Sequence, residues 1–201
     1  VAWSYAFTAL ATTYALAGSG WPIRRALLAA MVAVWSLRLG THLAIRVVSH
    51  HPTEDARYVQ LRRDWAGSFA TRMFGFFQLQ AVSVVLLGLA FLVSTANAAP
   101  RLHPLELAGA ALWLVAISGE ALADAQLAAF KRAPQNRSRV CDTGLWRYSR
   151  HPNYFFEWLI WFAYALFALA SPWGWLGFIG PAGILYLLLR VTGIPLIEEQ
   201  S

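Results

Sequence analysis

A chain of 201 residues that is 58% hydrophobic and only 13% charged is not a water-soluble domain, in which about a quarter of the residues would carry charge. Its net charge of +6 has no solvent-facing basic domain to occupy. This excludes a nucleic-acid-binding role and assigns the surplus cations to membrane topology. The single cysteine, Cys141, excludes both an intrachain disulfide and a cysteine-based zinc site.

Apolar stretches of about twenty residues can cross the hydrocarbon as helices. The first, residues 1–18, lacks a basic leader and a small-residue cleavage site, so it reads as a membrane helix rather than a signal peptide. A Gly- and Pro-containing break from Gly18 to Pro22 precedes the second, residues 26–48, which carries Arg38 and His42. A loop at 49–72 follows, with His50, His51, Arg57, Arg62, Arg63 and Arg72. The third stretch, 73–96, carries Gln78 and Gln80 and ends before Pro100. The fourth, 105–129, contains Glu120 and Asp124. Polar residues within the second and fourth stretches turn part of each toward a bundle interior. A basic loop at 131–151 leads to the fifth stretch, 153–171, and a break at Ser171 to Gly174 separates it from the sixth, 173–192. The expected fold is therefore all-α, a polytopic membrane helical bundle of about six transmembrane helices with room for a seventh outside the chain. A single domain is expected over residues 1–201, with its cofactor-binding half at about 105–201.

Loop charges set the expected orientation. The 49–72 and 131–151 loops hold ten Arg or Lys residues, against Arg24, Arg25 and Arg101 on the other face. Both loops and the C-terminus are expected in the cytoplasm. Trp21, Trp65, Trp146, Trp173 and Trp175 fall near span ends, where indoles anchor at the interface.

Three groups of residues have the chemistry of a site. Glu120 and Asp124 are one helical turn apart and share a face. Two such carboxylates need a cation, a shared proton or a ligand hydroxyl between them, or else they form a purely structural pair bridged to an arginine from a neighbouring helix. The 131–150 segment combines Lys131, Arg132, Arg137, Arg139, Arg147 and Arg150 with Gln135 and Asn136. Its guanidinium forks suit phosphate oxygens. The third group runs from Gly144 to Glu157. There Pro152 opens a helix, Asn153 and Glu157 share one face, and His151 and Tyr154 are the residue types able to exchange protons. His50, His51 and His151 lack the spacing of a metal site, so no metal is expected.

The stretch from Glu120 to Glu157 resembles a bacterial membrane protein family of unknown function (DUF1295) related to steroid 5α-reductases. The motifs are Glu120-x-x-x-Asp124, Asn136-Arg-x-Arg139, Gly144-Leu-Trp-Arg-Tyr148 and Ser149-Arg-His-Pro-Asn-Tyr154, followed by Glu157. Further matches are the segment from Arg57 to Trp65, the segment from Phe76 to Gln80, Gly193-Ile-Pro195 and the pair Glu198-Glu199. The Arg150 to Tyr154 element also resembles isoprenylcysteine carboxyl methyltransferases and phospholipid methyltransferases. Phe156 departs from the family, which usually has Gly at that place, and is expected to narrow the cleft.

The resemblance implies a membrane-embedded NADPH-dependent oxidoreductase acting on CH–CH groups. It would reduce an activated C=C bond in a lipophilic, steroid-like or isoprenoid, substrate that arrives from the bilayer, as part of lipid metabolism. It implies cofactor contacts from Asp124, Arg137, Arg147, Tyr148, His151, Asn153, Tyr154 and Glu157, and Glu120, Asn136, Arg139, Arg150 and Glu198 join them as candidates. Gln78, His42 and Tyr154 are the candidates for substrate polarisation and proton transfer. The expected location is the bacterial inner membrane, with membrane lipids as neighbours and no obligate protein partner. One alternative is an S-adenosylmethionine-dependent methyltransferase, with Glu157 and Glu198 or Glu199 gripping the cofactor's amino groups. The other is a non-catalytic lipid-binding membrane protein.

Overall fold

A computed structural model describes residues 1–49, 56–136 and 139–190. The helices are α1 (Ala2–Ala17), α2 (Pro22–Ser49), α3 (Ala56–Asp64), α4 (Phe69–Leu87), α5 (Leu89–Thr95), α6 (Pro104–Arg132), α7 (Pro152–Ala168) and α8 (Ile179–Arg190), with no strand among the described residues. The chain is an all-helical polytopic membrane protein. Three helices, α2, α4 and α6, are each long and apolar enough to cross a bilayer alone, at 28, 19 and 29 residues. The apolar helices α1 and α7, of 16 and 17 residues, lie at the short end for a full crossing.

Pro22, Pro104 and Pro152 open α2, α6 and α7, where a fixed φ is helical already and a missing N–H costs nothing. Three expected elements differ in detail. The stretch 73–96 is interrupted at Gly88, where Leu10 of α1 approaches so closely that a Cβ would lie 2.5 Å from its Cδ2. The stretch 173–192 begins as a 3-10 turn over Gly174–Phe178, because Gly174 is pressed against the Ala168 carbonyl. The loop 49–72 contains α3, whose charged sequence gives no membrane-helix signal.

An aromatic core joins four helices. Phe7 (α1), Trp35 (α2), Phe91 (α5), and Trp161 and Tyr164 (α7) are all buried. Their rings meet mostly edge to face, as in Trp35–Trp161 at 5.1 Å and 84°, the geometry favoured by aromatic quadrupoles. Helices α6 and α7 pack at close range because small residues line the seam. A Cβ on Gly109 would lie 2.8 Å from the Phe167 nitrogen.

At one end of the bundle Arg24 is wholly buried with Glu106. Its Nε and Nη2 both donate to that carboxylate, and its remaining N–H groups go to the carbonyls of Asn97 at 2.6 Å, Ala99 at 2.9 Å and Arg101 at 2.7 Å. All five guanidinium donors are thereby used. Glu106 also accepts from the His103 N–H at 2.7 Å, closing a capping box at the start of α6. Fourteen residues further along each helix stand Arg38 and Glu120, paired at 2.9 Å. Helices α2 and α6 therefore run parallel, joined by two ionic rungs about 21 Å apart.

Arg24→Met is expected to leave Glu106 buried without a cation and to cost about 3–5 kcal/mol. Thermal unfolding in detergent should show a clear drop in Tm, and the double replacement Arg24→Met/Glu106→Leu should recover part of it.

Candidate functional site

The second rung is not closed like the first. Arg38 Nη2 donates to Asp124 Oδ2 at 2.5 Å, while Nη1 stands 2.9 Å from Glu120 Oε2. The Glu120 contact is an ion pair whose angles do not meet those of a hydrogen bond, so among the described residues both of its atoms remain without an aligned hydrogen-bond partner. The Glu120 side chain is 5% exposed, whereas those of Arg38 and Asp124 are 24% and 19% exposed. The two carboxylates predicted to share a face thus do so, and the group bridging them is an arginine from a neighbouring helix. A bridging arginine is the arrangement expected of a structural pair.

Glu157 stands opposite, one turn into α7. Its Oε2 accepts from Trp35 Nε1 at 2.9 Å and its Oε1 from Trp161 Nε1 at 3.0 Å. It lies within electrostatic range of Arg38, Glu120 and Asp124. The result is a cluster of Glu120, Asp124 and Glu157 around one guanidinium, drawn from α2, α6 and α7. Ionisable groups at membrane depth are expensive to place and are commonly functional.

Just beyond Asp124, the segment leading to α7 folds back onto α6. Gly144 adopts a left-handed φ of 60°, and a Cβ there would also lie 2.5 Å from the Gln126 side chain. This allows the Leu145 N–H to donate to Gln126 Oε1 at 2.9 Å and Trp146 Nε1 to donate to the Ala123 carbonyl at 2.9 Å. Asn136 Nδ2 donates to the Phe130 carbonyl at 2.9 Å. Between these segments opens a cleft of about 460 Å³, lined in part by Gln126, Phe130, Asn136, Arg139, Asp142 and Thr143.

The remaining sequence candidates divide clearly. His151 and Tyr154 stack at the start of α7, rings 5.3 Å apart and inclined by 12°, and Asn153 is half-buried beside them. Arg147, Tyr148 and Arg150 are exposed on the segment before the helix. Arg137 and Glu198 lie outside the described residues, as do His50 and His51. His42 and Gln78 do not join the cluster. Both are exposed, and α4, which carries Gln78, packs on α1 and α8 rather than on α6. The ring of Phe156 fills the space over Gly119 of α6, where a Cβ would overlap it.

Sequence reasoning counted Arg38 among the early-span polar groups but preferred Gln78 and His42 to it, and it missed Trp35 and Trp161. For Arg38 the signal was a mid-span cation set at the same interval from Arg24 as Glu120 is from Glu106. For the tryptophans it was weaker, since a buried indole needs an acceptor but the sequence does not say which one.

The family model for a protein of unknown function (DUF1295) matches residues 1–201. The chain belongs to the DUF1295 family. No curated protein and no solved structure matches it. In this DUF1295 member the motif residues Glu120, Asp124 and Glu157 converge, although they come from two helices and are separated by the basic loop.

Arg38→Met should leave Glu120 and Asp124 facing each other without their bridging cation. Partial exposure keeps the expected loss near about 1–3 kcal/mol. Thermal unfolding should show Asp124→Asn restoring much of the Tm lost by Arg38→Met, whereas Asp142→Asn, at an acidic residue on the cleft wall, should not.

Proposed function

We propose that this protein is a membrane-embedded, NADPH-dependent reductase of an activated C=C bond in a lipophilic substrate, of the steroid 5α-reductase type. The observation that carries the reading is the adjacency of two unlike sites. A polar cleft with an arginine and an asparagine in its wall adjoins, within a turn of α6, a half-buried cluster rich in carboxylates. A dinucleotide cofactor, with anionic phosphates along its middle and adenosine half and a neutral nicotinamide ring at one end, suits such a pair.

The residues present fit the group. Arg139 and Asn136 line the cleft and offer donors to phosphate oxygens, and Arg147 and Arg150 lie exposed on the segment beside it. Asp124 and Glu157 can accept from hydroxyl and amide N–H groups. Bound there, NADPH would supply the hydride for the reduction. Arg38 is the early-span polar group that reaches the α6–α7 cluster. We assign it, in place of His42 or Gln78, to polarise the substrate carbonyl. Tyr154, stacked on His151, serves as the proton-exchanging group at the mouth of α7. The surrounding apolar helices exclude water from the reacting atoms and admit substrate from the bilayer. The arginine-rich 131–150 segment and the cleft would face the cytoplasm of a bacterial inner membrane.

Fluorescence titration of the chain in lipid nanodiscs should show NADPH binding, weakened about tenfold by Arg139→Glu. A parallel titration with S-adenosylmethionine discriminates the methyltransferase alternative. Binding of that cofactor without NADPH binding would sink the reductase reading, and binding of neither would favour a lipid-binding role.

A further inference from the structure

Glu157 is compensated in an unusual way. Among the described residues it has no ion pair, although the guanidinium of Arg38 lies within electrostatic range. Instead each of its oxygens takes one indole N–H, from Trp35 at 2.9 Å and from Trp161 at 3.0 Å. The indoles are nearly inaccessible, at 0% and 1% exposure, and they hold each other edge to face at 5.1 Å. Two rigid donors on two different helices fix both the position and the plane of the carboxylate.

We propose that Trp35 and Trp161 are positioning residues that hold Glu157 as a pre-oriented acceptor for donor groups of the bound molecule. The inference rests on the reductase reading for the identity of that molecule, but not for the clamp itself. A carboxylate offers about four lone-pair directions. The indoles use one on each oxygen, which leaves one on each for a ligand N–H or O–H. A cation in their place would tie the carboxylate into an ion pair and compete with that ligand. An indole N–H supplies a hydrogen bond and a fixed direction without a full charge.

Trp161 is one turn beyond Glu157 on α7 and orients it from within its own helix. Trp35 reaches across from α2, where Arg38 follows one turn later. The same face of α2 thus sets Glu157 through Trp35 and the Glu120–Asp124 pair through Arg38. The spacing between the acidic groups is thereby fixed by one rigid element, as pre-organised recognition requires.

The test uses the chain in nanodiscs and two readouts. The infrared carboxylate band of Glu157, identified by its loss in Glu157→Gln, should shift in Trp35→Phe and in Trp161→Phe. It should stay in place in Trp113→Phe, which removes a buried indole bonded to Tyr164 at 3.0 Å rather than to Glu157. NADPH affinity should fall about tenfold in each clamp variant, the effect of losing one hydrogen bond to a charged group. It should fall no further when either clamp variant is combined with Glu157→Gln. If truncation to Phe unfolds the bundle, β-(3-benzothienyl)alanine at either position keeps the ring shape and deletes only the N–H. An unmoved carboxylate band, or an equal affinity loss in the Glu157→Gln background, overturns the clamp. Failure of the unmodified chain to bind NADPH overturns the reductase reading instead, and the infrared readout still decides the clamp.

Discussion

The buried pair Arg24–Glu106 is the constraint from which the rest of the arrangement follows. A guanidinium and a carboxylate removed from water are tolerable only when every donor and acceptor is matched. Here the matching reaches across the chain, to the turn after α5 through Asn97, Ala99 and Arg101, and to the cap of α6 through His103. One side chain therefore fixes where α2 begins, how the chain turns between α5 and α6, and where α6 begins. With both starts fixed, two parallel helices have little freedom left in register. Arg38 then meets Glu120 because Arg24 has met Glu106.

The two rungs differ in how fully they are closed. The first is dry and saturated, and its carboxylate is completed by a backbone N–H. The second is partly open, lacks an aligned hydrogen bond to Glu120, and shares its guanidinium between two carboxylates. A purely structural pair tends toward the first condition. In the second condition the unaligned atoms of Arg38 and Glu120 are a standing cost.

The fold was largely legible from the sequence, since twenty-residue apolar runs, prolines at helix starts and glycine-rich breaks are local signals with direct physical causes. The limits lay where neighbours decide. Gly88 looked like any span residue until Leu10 crowded it, and α3 was hidden in a charged loop. The site was legible in part. Glu120 and Asp124 announced themselves by spacing, and Glu157 by its place in a polar segment beside an apolar run. The choice among early-span polar groups was not legible. His42 lies one turn from Arg38 on the same helix, and only the packing of α2 against α6 and α7 says which of them faces inward. The indoles that hold Glu157 were indistinguishable in sequence from the other tryptophans.

Helix α2 has a mechanical consequence. It is an unbroken rod of 28 residues, anchored near one end by Arg24 and carrying Trp35 and Arg38 toward the other. Such a rod transmits an axial displacement almost undiminished, so a shift of its anchor becomes a similar shift of the groups that face Glu157, Glu120 and Asp124. The end of the bundle that seats Arg24 is thus joined to the acidic cluster by one continuous helix. A displacement of the turn that seats Arg24 would therefore be felt, about 21 Å away, as a change in the spacing of Trp35 and Arg38 from Glu157, Glu120 and Asp124.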